Sequence, residues 1–359
     1  MKKMMRAAVW HGRRDVRIEE RPIPEPKVGE VIVAVSWAGI CGTDRHEYFG
    51  PVFIPVTKPH RLTGCTAPLI MGHEFSGLIS AAGAGVSGWK EGARVMANGT
   101  LSCGVCKPCR EGRYNICDKL GFLGVSCDGA FAEYVAVSAE RLFEIPPLVS
   151  LRHAPLAEPL ACGIHAVKLL GDIRGKCAVI IGPGIIGLSC FFAALEAGAK
   201  AALVLGVGTE RKALVEKSGG FYADITKQDP LEAALALLGG KADICFECVG
   251  AQTALDTGVR LLAGGGSLMI MGVYEKPPIF PMNDFQEGER RLFTSQAHVD
   301  EIAAALSLLA AGKINADALI TAELTLDTLA SGGFEDAARH PNKHIKALVK
   351  IGGETEHPV

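Results

Sequence analysis

Cys41, Thr43, Asp44 and His46 stand together in "CGTDRH", His73 and Glu74 follow in "MGHEFSG", and Glu158 lies in "LAEPLACG". Thiolate, imidazole and carboxylate together suit zinc, and three protein donors with one position left open describe a catalytic zinc site. Singly, each residue reads more simply as a packed side chain. The combination gains its weight from what surrounds it. A second group differs in kind. "SCGVCKPCREGRYNIC" carries Cys103, Cys106, Cys109 and Cys117. Four thiolates at this spacing close a tetrahedron with no vacancy, which is how zinc holds a loop. A disulfide pair is disfavoured in a reducing compartment, and a redox C-x-x-C expects a thioredoxin-like setting that is missing here.

A third group suits phosphate. "CAVIIGPGIIG" sets Gly182, Gly184 and Gly187 in the order G-x-G-x-x-G, between a buried strand and a helix that opens with Ile185 and Ile186. The first glycine permits a tight turn, the second a close approach to a pyrophosphate, and the third close packing of helix on strand. The pyrophosphate then rests on the helix N-terminus. The next strand should end in an acid that grips the adenosine ribose. Gly206 stands there instead, with Thr209, Arg211 and Lys212 after it. Loss of the acid removes repulsion and makes room, favouring the 2′-phosphate of NADP over NAD. Glu210 opposes this, and Arg211 and Lys212 also fit a solvated helix face.

The elements that must position these groups change character along the chain. Up to about residue 155, short apolar runs such as "VIVAV" and "FAEYVAV" alternate with Gly/Pro punctuation, the pattern of an irregular β domain. From about 160, strand and helix alternate: "CAVIIG", "IIGLSCFFAALEAG", "AALVLG", "TERKALVEKSG", "ADICFECVG", "TALDTGVRLLAGGG" read mostly as helix, and "SLMIMGV". Such alternation predicts a doubly wound parallel sheet, an α/β fold. An amphipathic helix, "DEIAAALSLLAAGK", and a last strand, "IKALVKI", follow.

The 359 residues exceed one ordinary core, so two domains are expected. A net charge of −2 and no basic run argue against nucleic acid as the main partner. No signal-peptide core or membrane-length apolar run is visible, which points to a cytoplasmic protein with reduced thiols. Cys162, Cys177, Cys190, Cys245 and Cys248 sit in apolar stretches and read as packing residues.

Taken in order, "GICGTD", "MGHEFSG", "CGVCKPCREGRYNIC", "DGAFAEYV", "EPLACGIHA" and "GPGIIG" resemble the zinc-dependent medium-chain alcohol and polyol dehydrogenases over essentially the whole chain. Within that family, "EYFGPVFIP" and "HRLTGCTAPLIMGHEFSG" look most like the (R,R)-butanediol dehydrogenases, with sorbitol and threonine dehydrogenases as near relatives. The resemblance implies a GroES-like catalytic domain over 1–158 and 298–359, and a Rossmann domain over 159–297. It implies a zinc- and NAD(P)-dependent oxidoreductase acting on a small secondary alcohol or ketone, assembled as a homodimer or homotetramer. It places Cys41 and His73 on the catalytic zinc and Glu158 where polyol-type members carry a glutamate near the metal. Glu74 corresponds to a ligand in some members and a neighbour of the metal in others. By the same resemblance Asp44 holds His73 through its other ring nitrogen, Thr43 receives the substrate proton, and His46 passes it to solvent.

Other readings stay open for single residues. Asp44 also fits a helix cap, His46 an exposed loop, and Glu158 a hydrogen-bonding residue at the domain junction. Glu47, Tyr48 and His60 fit a lining of the substrate site, but read more simply as a solvated loop. Two departures from the family stand out, Gly206 in place of an acid and Thr294-Ser295 in place of a glycine-serine turn near His298. Two other classes of function compete with the enzyme: a zinc-bearing interaction module, and a nucleotide-binding relative that has lost catalysis.

Overall fold

In the computed structural model, residues 3–340 and 342–352 are described. The chain divides into two compact units, 1–158 with 306–359, and 159–305. The second seam falls inside the helix Ile302–Ala310, beyond the boundary at 298 that the sequence suggests.

The first unit is built around the strand Glu30–Gly39, "EVIVAVSWAG", buried along nearly its whole length. A strand buried on both faces reads as a continuous apolar run, as this one does. It pairs antiparallel with Glu74–Ala82 on one edge. On the other edge it pairs first with Tyr134–Ser138 and then with Lys346–Lys350, which returns from the far end of the sequence. Trp10, Phe75, Phe131 and Phe334 fill the core beneath. Two consequences of register matter for chemistry. Gly39 lies opposite Glu74, which sets Cys41 beside His73. Gly39 also lies opposite Leu348, which brings Lys346 to the same spot.

The second unit is a six-stranded parallel sheet. Its spatial order is Phe221–Asp224, Ala201–Gly206, Cys177–Ile181, Ala242–Glu247, Leu262–Ile270 and Arg291–Thr294. This is the 3-2-1-4-5-6 order of a Rossmann sheet, which reverses direction beside its first strand. Helix Ile185–Glu196 leaves that first strand and is buried from Gly187 to Ala194. The run "AGGG" belongs to the strand Leu262–Ile270, not to the helix Gln252–Leu261 that the sequence reading extends through it.

Candidate functional site

The four-cysteine loop contains only a single helical turn, Lys107–Arg110, and a short 3-10 turn, Tyr114–Ile116. Its four sulfurs lie within 4.8 Å of one another. Cys106 Sγ is 3.3 Å from Cys109 Sγ and 3.8 Å from Cys117 Sγ. Those spacings are far too long for a disulfide. Zinc–sulfur bonds near 2.3 Å imply tetrahedral edges of about 3.8 Å, so the cage has the size of a four-thiolate zinc site. Backbone N–H groups prepare the thiolates. Cys106 N donates to Cys103 Sγ at 3.4 Å, and Cys103 N and Lys119 N each donate to Cys117 Sγ at 3.3 Å. Backbone donors from Val105 and Cys106 pull the Cys103 thiol down to about 6. Burial, with Cys106 and Cys117 alongside, pushes Cys109 up to about 12. Arg141 steadies the loop by stacking 3.7 Å from the Tyr114 ring centroid and donating to Ser102 Oγ at 2.9 Å.

The other set is assembled around the central strand Glu30–Gly39 of the first unit. Cys41 caps the helix Gly42–Phe49, which carries Thr43, Asp44 and His46. Donor atoms of Cys41, His73 and Glu74 lie within 4.8 Å of one another. Asp44 combines the two roles that the sequence leaves open. Its Oδ2 accepts from Cys41 N at 2.9 Å, closing the helix start, and its Oδ1 stands 3.7 Å from His73 Nδ1. Both Asp44 and His73 are buried, and these facing atoms lack hydrogen-bond partners. Burial opposes charge on His73, but Asp44, Cys41 and Glu158 outweigh it and raise its pKa well above the ordinary value. That field is what a divalent cation would meet, and the soft-plus-hard donor set is zinc's. The residues present therefore fit the metal.

Glu74 is held from the other side. Its Oε2 forms an ion pair with Lys346 Nζ, which also donates to Ile40 O at 3.0 Å. Both side chains are 1% exposed. A Cβ at Gly39 would strike Glu74 Oε2 and approach Lys346 Cε to 2.8 Å, so only glycine leaves space for this pair. Lys346 is a residue the sequence reading missed. Glu158, half-buried in the first turn of helix Ala157–Leu170, is outside the tight three-residue group but bears electrostatically on His73, Glu74 and Lys346. Thr43 and His46 are half-buried.

The solvated-loop reading of Glu47, Tyr48 and His60 is corrected. Glu47 is fully buried, its carboxylate accepting from Val52 N, Phe53 N and Ile54 N at 2.9–3.1 Å. Tyr48 is buried and donates to Glu335 Oε1 at 3.0 Å, while His60 Nε2 sits 3.0 Å from Leu120 O. Glu47 thereby pins the loop after the Thr43–His46 helix.

In the second unit the glycine loop has its expected form. Gly182 has φ +96°, open only to glycine without strain. Gly184 precedes Ile185 and Ile186 at the helix start, and a Cβ there would meet nothing within 4 Å. A Cβ at Gly187 would collide with Gly182 O. This open, N–H-lined helix start suits a pyrophosphate. Gly206 is different. The room that the sequence reading gives it is filled, since a Cβ would run into the Tyr222 phenol and come within 2.7 Å of Pro183 Cγ. Thr209 is exposed. Arg211 is 9% exposed and no part of a solvated face, whereas exposed Lys212 pairs with Glu216 at 3.7 Å. His298 is buried beyond Thr294 and Ser295, its Nδ1 3.3 Å from Val299 O.

Residues 27–147 match the family described as alcohol dehydrogenase GroES-like domain, and residues 186–311 match zinc-binding dehydrogenase. The (R,R)-butanediol dehydrogenase of Bacillus subtilis strain 168 is 36% identical over 349 residues, covering 96% of this chain and 99% of the relative. The chain belongs to the zinc-dependent medium-chain alcohol dehydrogenases. A crystal structure of 2R,3R-butanediol dehydrogenase from Bacillus subtilis matches this alcohol dehydrogenase with a TM-score of 0.89 at 36% identity, over 97% of this chain and 100% of that one. A zinc-binding dehydrogenase of Sinorhizobium meliloti 1021, solved bound to NADP, gives 0.87 at 32% identity, over 97% and 100%. The family, the fold and the enzyme reading of the sequence are thus borne out. Among the described residues, no helix of this dehydrogenase is long and apolar enough to cross a membrane.

Proposed function

We propose that this alcohol dehydrogenase interconverts a secondary alcohol of the vicinal-diol or polyol class, 2,3-butanediol-like, and its ketone, with NADP preferred to NAD. The observation that carries the reading is the meeting of Cys41 and His73 donors within 4.8 Å, in the field of buried Asp44. The substrate class follows the names of the relatives and the loop sequence "EYFGPVFIP". Cys41 and His73 would hold a zinc that supplies Lewis acidity to the reacting oxygen, and Gly182–Gly187 would hold an NAD(P) that supplies or takes up the hydride.

The chain does the rest. Asp44 orients His73 through its Nδ1 side. Glu158 completes the donor set, because Lys346 already engages Glu74. Thr43 Oγ1 receives the substrate proton as it releases its own hydroxyl proton, and His46, three residues on along the same helix face, takes up the released proton and hands it to water. Cys103, Cys106, Cys109 and Cys117 hold a structural zinc. The NADP preference rests on the missing acid at the end of Ala201–Gly206 and on Arg211 close by. A homo-oligomer is supported by the sheet's edge strand Arg291–Thr294, where Leu292 is 47% exposed. Twelve free cysteines suit the cytoplasm.

Steady-state rates with NADP and NAD over a panel of diols, polyols and ketones test the reading. Turnover should be fastest with small vicinal diols and NADP, and silence across the panel sinks it. Zinc analysis separates the carboxylates: Glu158→Gln should lose the catalytic zinc and Glu74→Gln should keep it. The reverse pattern makes Glu74 the ligand.

A further inference from the structure

The strand Ala201–Gly206 ends where a dinucleotide fold normally places an acid against the adenosine ribose. Gly206 is not there for its backbone, since it is absent from the positive-φ positions. It is there for space. A Cβ at Gly206 would run into the phenol oxygen of Tyr222 and stand 2.9 Å from Tyr222 Cζ. Tyr222 comes from the neighbouring strand Phe221–Asp224 and is 7% exposed. Its hydroxyl donates to Gly208 O at 3.0 Å, and Pro183 of the glycine loop closes the other side. One phenol thus spans the phosphate loop and the 206–208 turn.

The charges around it are already committed or neutralised. Asp224 Oδ1 accepts from Gly208 N at 3.2 Å, Thr226 N at 3.1 Å and Thr226 Oγ1 at 2.7 Å. Its Oδ2 lies 3.4 Å from Lys227 Nζ. Glu210 packs over Gly208, and buried Arg211 and Glu210 both act on the phenol electrostatically. No carboxylate reaches outward from position 206, and Tyr222 leaves none the room to do so.

We propose that Tyr222 is the specificity-determining residue of the adenosine-ribose corner: its phenol occupies the volume that a ribose-gripping carboxylate at 206 requires, so phenol and acid are mutually exclusive. This rests on the reading that a dinucleotide lies on Gly182–Gly187. Adding a side chain to a filled site forces its neighbours off their positions, so Gly206→Asp alone should not create an NAD enzyme.

Calorimetric titration of NADP and NAD into wild type, Gly206→Asp, Tyr222→Ala and the double variant tests this as a cycle. The single Gly206→Asp protein should bind both nucleotides about tenfold or more weakly. The double variant should bind NAD at least about tenfold more tightly than Gly206→Asp does, with NADP still weak. Gly206→Asp gaining NAD affinity with Tyr222 in place, or two strictly additive effects, overturns the proposal. If Gly206→Asp does not fold, the double variant decides: recovery of a cooperative melt with NAD binding supports it, and no recovery overturns it. A wild type that prefers NAD defeats the NADP reading instead and leaves the coupling to be judged on its own.

Discussion

The four-cysteine loop and the Cys41–His73 centre each gather soft ligands, but they obtain their electrostatics differently. The loop draws every donor from residues 103–117, and backbone N–H groups of the same segment hold its thiolates. The centre joins the ends of two strands in register and adds Lys346 from the far end of the chain. Its carboxylates are both buried: Asp44 accepts from Cys41 N, and Glu74 depends on the charge of Lys346. Buried charges require partners, and removing one partner costs more than the pair ever contributes. The loop's donors are therefore brought together locally, whereas the centre's donors meet only when the strands of the first unit pair. That division assigns stability to the first and chemistry to the second.

The division can be broken most sharply at His73. His73→Ala should lower kcat/KM about a thousandfold or more, because the ion that activates the reacting oxygen loses a ligand. Nucleotide affinity, read by calorimetry, should stay within about twofold, since the glycine loop belongs to the other unit. Joint loss of nucleotide binding would show that the centre is not a separable chemical site. Cys109→Ser should act in the opposite way. Denaturant midpoints should fall by an equivalent of about 2–4 kcal/mol as the loop loses its zinc, while turnover per folded, loaded molecule holds within about twofold. A Cys109→Ser protein that melts like wild type yet turns nothing over reverses the two assignments.

How far each region could be read from sequence follows the same contrast. The loop was legible because its ligands, turns and spacing are consecutive. So was the strand–glycine–helix passage at 177–196, where an apolar run, a positive-φ glycine and a buried helix are all local. Cys41 and His73 could be suspected by residue type, but only register brings them together. Lys346 gave no signal, since a lysine opening "KALVK" reads as a solvent-facing position, and its partner Glu74 is remote in sequence. Glu47 misled for a similar reason, as three N–H groups of the following loop bury it. Tyr222 was invisible because the volume it fills belongs to another strand. The glycines of "AGGG" carry no period, and they lie in the irregular stretch of the strand Leu262–Ile270, between the paired residues Leu262 and Ser267, so no local pattern marks them as strand. The helix Pro230–Leu238 is absent from the sequence reading although its ends carry local signals, Asp229 accepting from Leu231 N and Glu232 N, and Gly239 at φ +78°.

The finest difference lies within the loop itself, between thiols that share one cage. Cys103 is held near 6 by backbone donors, so in protein stripped of zinc it is mostly thiolate at neutral pH. Cys109, pushed up to about 12 by burial and by Cys106 and Cys117, stays a thiol. Alkylation requires the thiolate, although a thiolate of low pKa is intrinsically the weaker nucleophile. The population difference outweighs that loss, so iodoacetamide should modify Cys103 faster than Cys109 by about tenfold or more in stripped protein, read by peptide mass spectrometry. As the pH is lowered, the Cys103 rate should stay nearly flat until the pH passes below its value near 6 and its thiolate is protonated, whereas the slow Cys109 rate should fall about tenfold per pH unit throughout, because its thiolate is a minor form at every such pH. Zinc should protect both. Equal rates at the two cysteines would mean that the backbone N–H groups do not prepare the cage, and the loop's local origin would then lack its physical basis.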